Sequence, residues 1–153
     1  GVKTIYASSA AFAALKQDGS VITWGDPSSG GDSSTVAPAL SSGVRLIVSN
    51  YAAFAALKTD GSVVTWGSSS YGGDSSSVSS GLTSAVKSIT STDSAFAALK
   101  DDGSVVTWGS NFSGGDSTSV TGDLSSGVVS VHNTLYAFAA LKADGSLVTW
   151  GAN

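Results

Sequence analysis

Small apolar and polar side chains alternate along this chain in short runs, and one run returns four times. Each copy reads Ala-Phe-Ala-Ala-Leu-Lys, one variable residue, Asp-Gly-Ser, two aliphatics, then Thr-Trp-Gly. Trp24, Trp66, Trp108 and Trp150 mark the copies, 42 residues apart. A fixed period in this range signals a repeat architecture, whose units bury their apolar faces only against neighbours. In the first unit, residues 2–5 alternate as a strand, five variable residues follow, and residues 12–16 form a second strand. Asp18-Gly19 then gives a hairpin signal, because both residues tolerate the positive φ of tight turns. A third strand spans residues 20–24 and stops at Gly25.

A two-residue turn sets Ala13 opposite Trp24 and Phe12 opposite Gly25, whereas a three-residue turn with a bulge slides that register by one. The first arrangement puts Leu15, Ile22 and Trp24 on one face and Phe12, Ala14, Val21 and Thr23 on the other. Both faces are at least half apolar, so both need cover. A sandwich strand with one wet face alternates more sharply. Radially stacked propeller blades have two covered faces and take about 40–50 residues each; the coil of a β-solenoid is usually shorter. The expected fold is therefore all-β, a β-propeller of 42-residue blades with four blades per chain. Residues 1–153 read as a single repeat domain with units 1–42, 43–84, 85–126 and 127–153. Between the copies lie linkers with Gly-Gly-Asp-Ser from Gly30, Gly72 and Gly114, followed by a Ser/Thr/Val stretch suited to a short, weakly paired outer strand.

Composition supports the strand reading: Cys and Met are absent, Glu does not occur, and Gly numbers 19. Strong helix formers are scarce and turn and strand formers abundant. The missing cysteines exclude disulfides and thiolate metal sites and leave the compartment unassigned. Net charge is −4, with seven Lys and Arg spread along the chain, so no basic stripe for a phosphate backbone forms and no nucleic-acid partner is expected. No apolar run is long enough for a membrane helix, so no membrane partner is expected either. The first residue is Gly1 with no signal segment, which reads as a processed, excised or engineered fragment.

The phrase Ala-Leu-Lys-x-Asp-Gly-Ser-Val-Val-Thr-Trp-Gly, with a Gly-Gly pair a few residues on, resembles the repeat of the regulator-of-chromosome-condensation family. The likeness covers every unit and implies a propeller, in that family normally a closed seven-bladed ring. The departures are large. Phe12, Phe54, Phe96 and Phe138 stand where the family often has His. Gly-Gly-Asp-Ser replaces its Gly-Gln-Leu-Gly turn, the period is shorter, and no inserted hairpin of the nucleotide-exchange type is present. The resemblance thus carries the fold and not the exchange activity or chromatin binding.

Most polar candidates for chemistry recur symmetrically. The tryptophans read as blade packing rather than sugar platforms. Asp18, Asp60, Asp102 and Asp144 read as hairpin turns rather than glycosidase carboxylate pairs. Asp32, Asp74 and Asp116 read as turns closing on their own backbone rather than ligands for a hard cation. Lys16, Lys58, Lys100 and Lys142 read as solvated ammonium groups. His132 is the only histidine, at a strand-end position held by Tyr6, Val48 and Thr90 elsewhere. Catalytic residues, metal and cofactor are accordingly expected to be none. The units differ most before the second strand, where loops on one face of an array carry recognition. Tyr6, Asn50, Tyr51, Asp93, Asn133 and Tyr136 are the candidate binding residues there. The expected function is a non-catalytic structural or binding module that closes an eight-bladed ring as a homodimer. The alternative is a carbohydrate-binding lectin with one site per blade.

Overall fold

The computed structural model describes residues 1–152. Every unit folds into a three-stranded antiparallel meander. The strands are β1 (Val2–Ala7), β2 (Ala11–Lys16) and β3 (Val21–Gly25); β4 (Val44–Ser49), β5 (Ala53–Lys58) and β6 (Val63–Gly67); β7 (Val86–Ser91), β8 (Ala95–Lys100) and β9 (Val105–Gly109); and β10 (Val128–Asn133), β11 (Ala137–Lys142) and β12 (Leu147–Gly151). The first strands of neighbouring sheets lie side by side: Ser49 Oγ donates to the Ala7 carbonyl at 2.8 Å, and Ser91 Oγ to the Ser49 carbonyl at 3.1 Å. The sheets therefore radiate from β1, β4, β7 and β10 as the blades of a β-propeller, with the third strands on the rim.

The hairpin takes the three-residue form. The Lys16 amide donates to the Ser20 carbonyl at 2.8 Å and the Gly19 amide to the Lys16 carbonyl at 3.0 Å, with Gly19 at φ +78°. Glycine in the bulge position shifts the register so that Phe12 pairs with Trp24, Ala13 with Thr23 and Ala11 with Gly25. The two-residue alternative, with its Ala13–Trp24 pairing and its sharing of faces, does not form. Phe12 and Trp24 instead share a face with their rings stacked, centroids 5.3 Å apart. Two further sequence expectations are corrected. The Ser/Thr/Val part of each linker forms short 3-10 turns (Ser34–Val36, Ser76–Leu82, Thr118–Val120) rather than an outer strand. The first strand also runs to Ala7, because Tyr6 continues its alternation and pairs with Ala13.

The new register explains the core. At the first joint, Ala11, Ala13 and Leu15 of one blade meet Phe54, Ala56 and Trp66 of the next, and Leu40 from the linker seals the joint. The same pattern returns with Ala53, Ala55 and Leu57 against Phe96 and Trp108, and with Ala95, Ala97 and Leu99 against Phe138 and Trp150. One face is shaved to alanine so that the other can be aromatic and the sheets still approach closely. Each buried ring contributes about 3 kcal/mol through the area removed from water. The linker completes the joint. Trp66, Trp108 and Trp150 donate their indole N–H to the carbonyls of Gly30, Gly72 and Gly114 at 3.0–3.1 Å. Gly30 sits at φ +94°, and a Cβ there would lie 2.6 Å from the Phe54 ring, so only glycine brings this carbonyl close enough.

Ala85 is the one non-glycine residue with positive φ among those described, at +63°. Its equivalents Gly43 and Gly127 adopt +76°. Left-handed backbone costs alanine about 1–2 kcal/mol, partly offset by the greater unfolded-state entropy of glycine. Ala85→Gly is expected to stabilise the protein by about 0.5–1 kcal/mol in urea titration; a loss of stability would show that the alanine methyl is packed rather than strained.

Candidate functional site

The turns between the first and second strands of each blade line one face of the propeller, beside the start of each linker. Their first residue is an anchor. Ser8 Oγ donates to the Ser29 carbonyl at 2.8 Å, Asn50 Nδ2 to the Tyr71 carbonyl at 2.7 Å, and Thr92 Oγ1 to the Ser113 carbonyl at 2.9 Å. Asn50 Oδ1 also accepts from the amides of Ala52 and Ala53 at 3.2 and 2.9 Å. All the amide's strong contacts are thus inside its own turn and linker, and Asn50 serves the scaffold. The second residue of each turn forms a belt across the blades: the Ser9 amide donates to the Tyr51 carbonyl (2.8 Å), Tyr51 to Asp93 (3.1 Å) and Asp93 to Leu135 (2.8 Å).

This belt brings Tyr51 and Asp93 together and leaves the Tyr51 ring exposed, stacked on Tyr71 at 5.4 Å. Tyr136 is exposed too and leans on Phe112 with centroids 5.9 Å apart and planes at 60°. Asn133 is exposed at the end of β10 and donates to the Thr134 carbonyl at 3.1 Å. Tyr6 does not join the group: it lies within β1, half-buried against the first blade joint. Tyr71 and Phe112 escaped sequence reading because they lie in the linkers. Their signal was the break in pattern at positions where the first linker has Ser28 and Ser29.

The recurring polar residues have local duties. Ser20 donates its hydroxyl (2.6 Å) and amide (3.0 Å) to Asp18 Oδ1, which holds that carboxyl below the usual aspartate range. Asp60, Asp102 and Asp144 are held low by the equivalent Ser62, Ser104 and Ser146. The amides of Ser34, Ser76 and Thr118 do the same for Asp32, Asp74 and Asp116. Lys58 and Lys142 are not simply solvated. Their ammonium groups donate to the linker carbonyls of Ala39 (2.7 Å) and Asp123 (2.6 Å) and pin the hairpin to the preceding linker. His132, exposed near the end of β10, has its Nε2 3.1 Å from Ser130 Oγ. Among the described residues no three His, Asp or similar ligands converge as a metal centre.

The second candidate surface comprises the two end blades. Phe12 and Trp24 are each 43% exposed, whereas Phe54 is 0% and Trp66 3% exposed. At the other end Ala137, Ala139 and Leu141 are half-buried, although their equivalents Ala53, Ala55 and Leu57 are fully buried. A recess of ≈ 240 Å³ opens on that face, lined by His132, Ala137, Ala139 and Thr149 among others. The arc is therefore open, and its two ends carry the two halves of an internal joint.

With these blades and joints the protein is a β-propeller, four blades to the chain, whose repeats resemble those of the RCC1 family. Residues 86–114 match the regulator of chromosome condensation (RCC1) repeat. None of the curated proteins matches the sequence. Among solved structures the chain is similar to Prp20p from Saccharomyces cerevisiae, at 16% identity over 99% of this chain and 44% of that one, with a TM-score of 0.66. Human WBSCR16 is 19% identical over 98% of this chain and 47% of its own, with a TM-score of 0.62. The CRINKLY WD40 ectodomain of the Arabidopsis thaliana receptor kinase ACR4 is 19% identical over 99% of this chain and 51% of its own, with a TM-score of 0.56. The chain spans about half the length of the structures it matches, and at these identities the likeness is one of fold.

Proposed function

We propose that this chain is a non-catalytic structural and binding propeller module that completes its ring with a second copy, the last blade of each against the first blade of the other. The observation that carries the reading is the complementarity of the end faces. Phe12, Ala14, Ile22 and Trp24 repeat the aromatic side of an internal joint, and Ala137, Ala139 and Leu141 repeat its alanine side. Two four-bladed arcs joined at both ends make an eight-bladed ring with two-fold symmetry, which removes both apolar faces from water. A second copy is expected to raise the mass in solution to about 30 kDa, twice the 15.0 kDa of one chain. Ile22→Lys, on the exposed aromatic face, is expected to return a folded monomer. Light scattering that gives a monomer for the unaltered chain at micromolar concentration overturns the pairing.

A second reading rests on the loop face. Tyr51 on Tyr71 and Phe112 with Tyr136 present aromatic surface beside Asp93 and Asn133, a combination suited to stacking on sugar rings. The turn of the first blade offers Ser9 and Ala10 at the matching positions, so the reading applies to particular blades rather than to every one. Glycan-array binding lost in Tyr51→Ala separates this reading from a purely structural role. Prp20p was solved with attention to its binding of Gsp1p and histones. At 16% identity no such partner is assigned to this chain.

A further inference from the structure

The exposed Phe12–Trp24 pair has three covered counterparts, and they show what belongs on it. In every covered blade the stacked rings meet two things: the alanine face of the preceding blade and the glycine turn of the preceding linker. The turn lays its carbonyl on the indole N–H and its bare Cα on the phenyl ring. A leucine further along the same linker, Leu40, Leu82 or Leu124, fills the joint. On the first blade the rings already have their working geometry. Their centroids are 5.3 Å apart at 20°, against 5.2 Å at 12° for Phe54–Trp66 and 5.4 Å at 21° for Phe96–Trp108. Among the described residues nothing accepts a hydrogen bond from the Trp24 indole.

We propose that the slot over Phe12 and Trp24 is a peptide-binding site for a segment of the Gly-Gly-Asp-Ser type followed by a leucine. Recognition rests on three features. The Trp24 N–H selects a backbone carbonyl. The phenyl ring excludes any side chain at the residue that carries it, because a Cβ at Gly30, Gly72 or Gly114 would lie 2.6–2.8 Å from the phenyl ring beneath. That residue must also hold a left-handed φ of about +90°, which favours glycine. The floor is preorganised, so binding loses little entropy in ordering it. The site needs only the first blade; the last blade of a second copy adds an alanine wall, and the glycine turn is a separate element.

The test uses the ¹⁵N-labelled chain and a capped synthetic peptide with the sequence of residues 109–124. The protein has four tryptophans, hence four indole N–H signals; the signal missing in Trp24→Phe is that of Trp24. The peptide is expected to move that signal alone and saturably. The same peptide carrying Gly114→Ala is expected to leave it in place. Trp24→Phe, which keeps a ring and loses the N–H, is expected to weaken binding of the labelled peptide about five-fold, the worth of one hydrogen bond of about 1 kcal/mol. A Trp24 signal unmoved by millimolar peptide, or moved equally by the Gly114→Ala peptide, overturns the site. Mass measured on the same samples keeps the two ideas apart. A dimer with a silent Trp24 signal disproves the slot alone, and a monomer that binds the peptide disproves the ring alone.

Discussion

Trp66→Ala is expected to cost about 3–5 kcal/mol, the range for deleting a large buried aromatic that leaves a cavity. The ring is 3% exposed, stacks on Phe54 with centroids 5.2 Å apart, and is sealed by Leu40 and the Gly30 turn. Its loss also strands the Gly30 carbonyl, which accepts the indole N–H at 3.1 Å. The control is built into the chain. Trp24 has the same strand position and the same phenylalanine partner, yet is 43% exposed. Trp24→Ala is expected to cost no more than about 1 kcal/mol of the stability of a single chain, and to abolish the proposed pairing with a second copy. Urea titration followed by far-UV circular dichroism measures both variants. Equal losses at the two positions in the monomer would mean that Trp24 is as well covered as Trp66 within one chain, and that the four-bladed arc closes on itself.

The repeat itself was fully legible from the sequence, because the 42-residue period and the Asp-Gly turns are written without interruption. Covered faces on both sides of each strand followed from the apolar content of both alternating sets, and they led to the propeller. The hairpin register was not legible, since Lys-x-Asp-Gly-Ser fits two turn types whose difference lies in the backbone of one glycine. That single step decides whether phenylalanine faces glycine or tryptophan. The outer strand failed for a related reason: Ser, Thr and Val fit an edge strand by propensity, but the left-handed glycine turn delivers the linker to the rim as 3-10 turns. On the loop face, variation between units singled out Tyr51 and Tyr136 as candidate binding residues, and both are exposed. It could not separate them from Asn50, whose amide is occupied within its own turn and linker, or from Tyr6, whose ring packs on the first joint. The aromatic partners Tyr71 and Phe112 lay outside the compared segment altogether. The exposure of Trp24 is a property of neighbours, not of its own phrase, which is identical in kind to the other three.

The second large effect lies at the opposite end of the blades, in the hairpin bulge. Gly61 adopts φ +79°, and a Cβ there would sit 2.6 Å from the Ala85 amide nitrogen, on the segment that opens the next blade. That approach is functional for the fold, because the Gly61 carbonyl accepts the Val86 amide at 3.0 Å and so fastens hairpin to linker. Gly61→Val places a β-branched side chain in left-handed backbone and drives it into main chain that has no rotamer by which to yield. Conformational strain of about 1–3 kcal/mol and overpacking of about 1–3 kcal/mol add to an expected loss of about 3–5 kcal/mol. Thr59→Ala, two residues away, removes an exposed side chain and leaves intact the amide that donates to the Gly43 carbonyl at 2.8 Å. That variant is expected to stay within about 0.5 kcal/mol of the parent. Thermal unfolding of the pair decides the matter: equal tolerance would mean that the bulge glycine is not held against the next blade, and that the joints between blades are looser than their hydrogen bonds indicate.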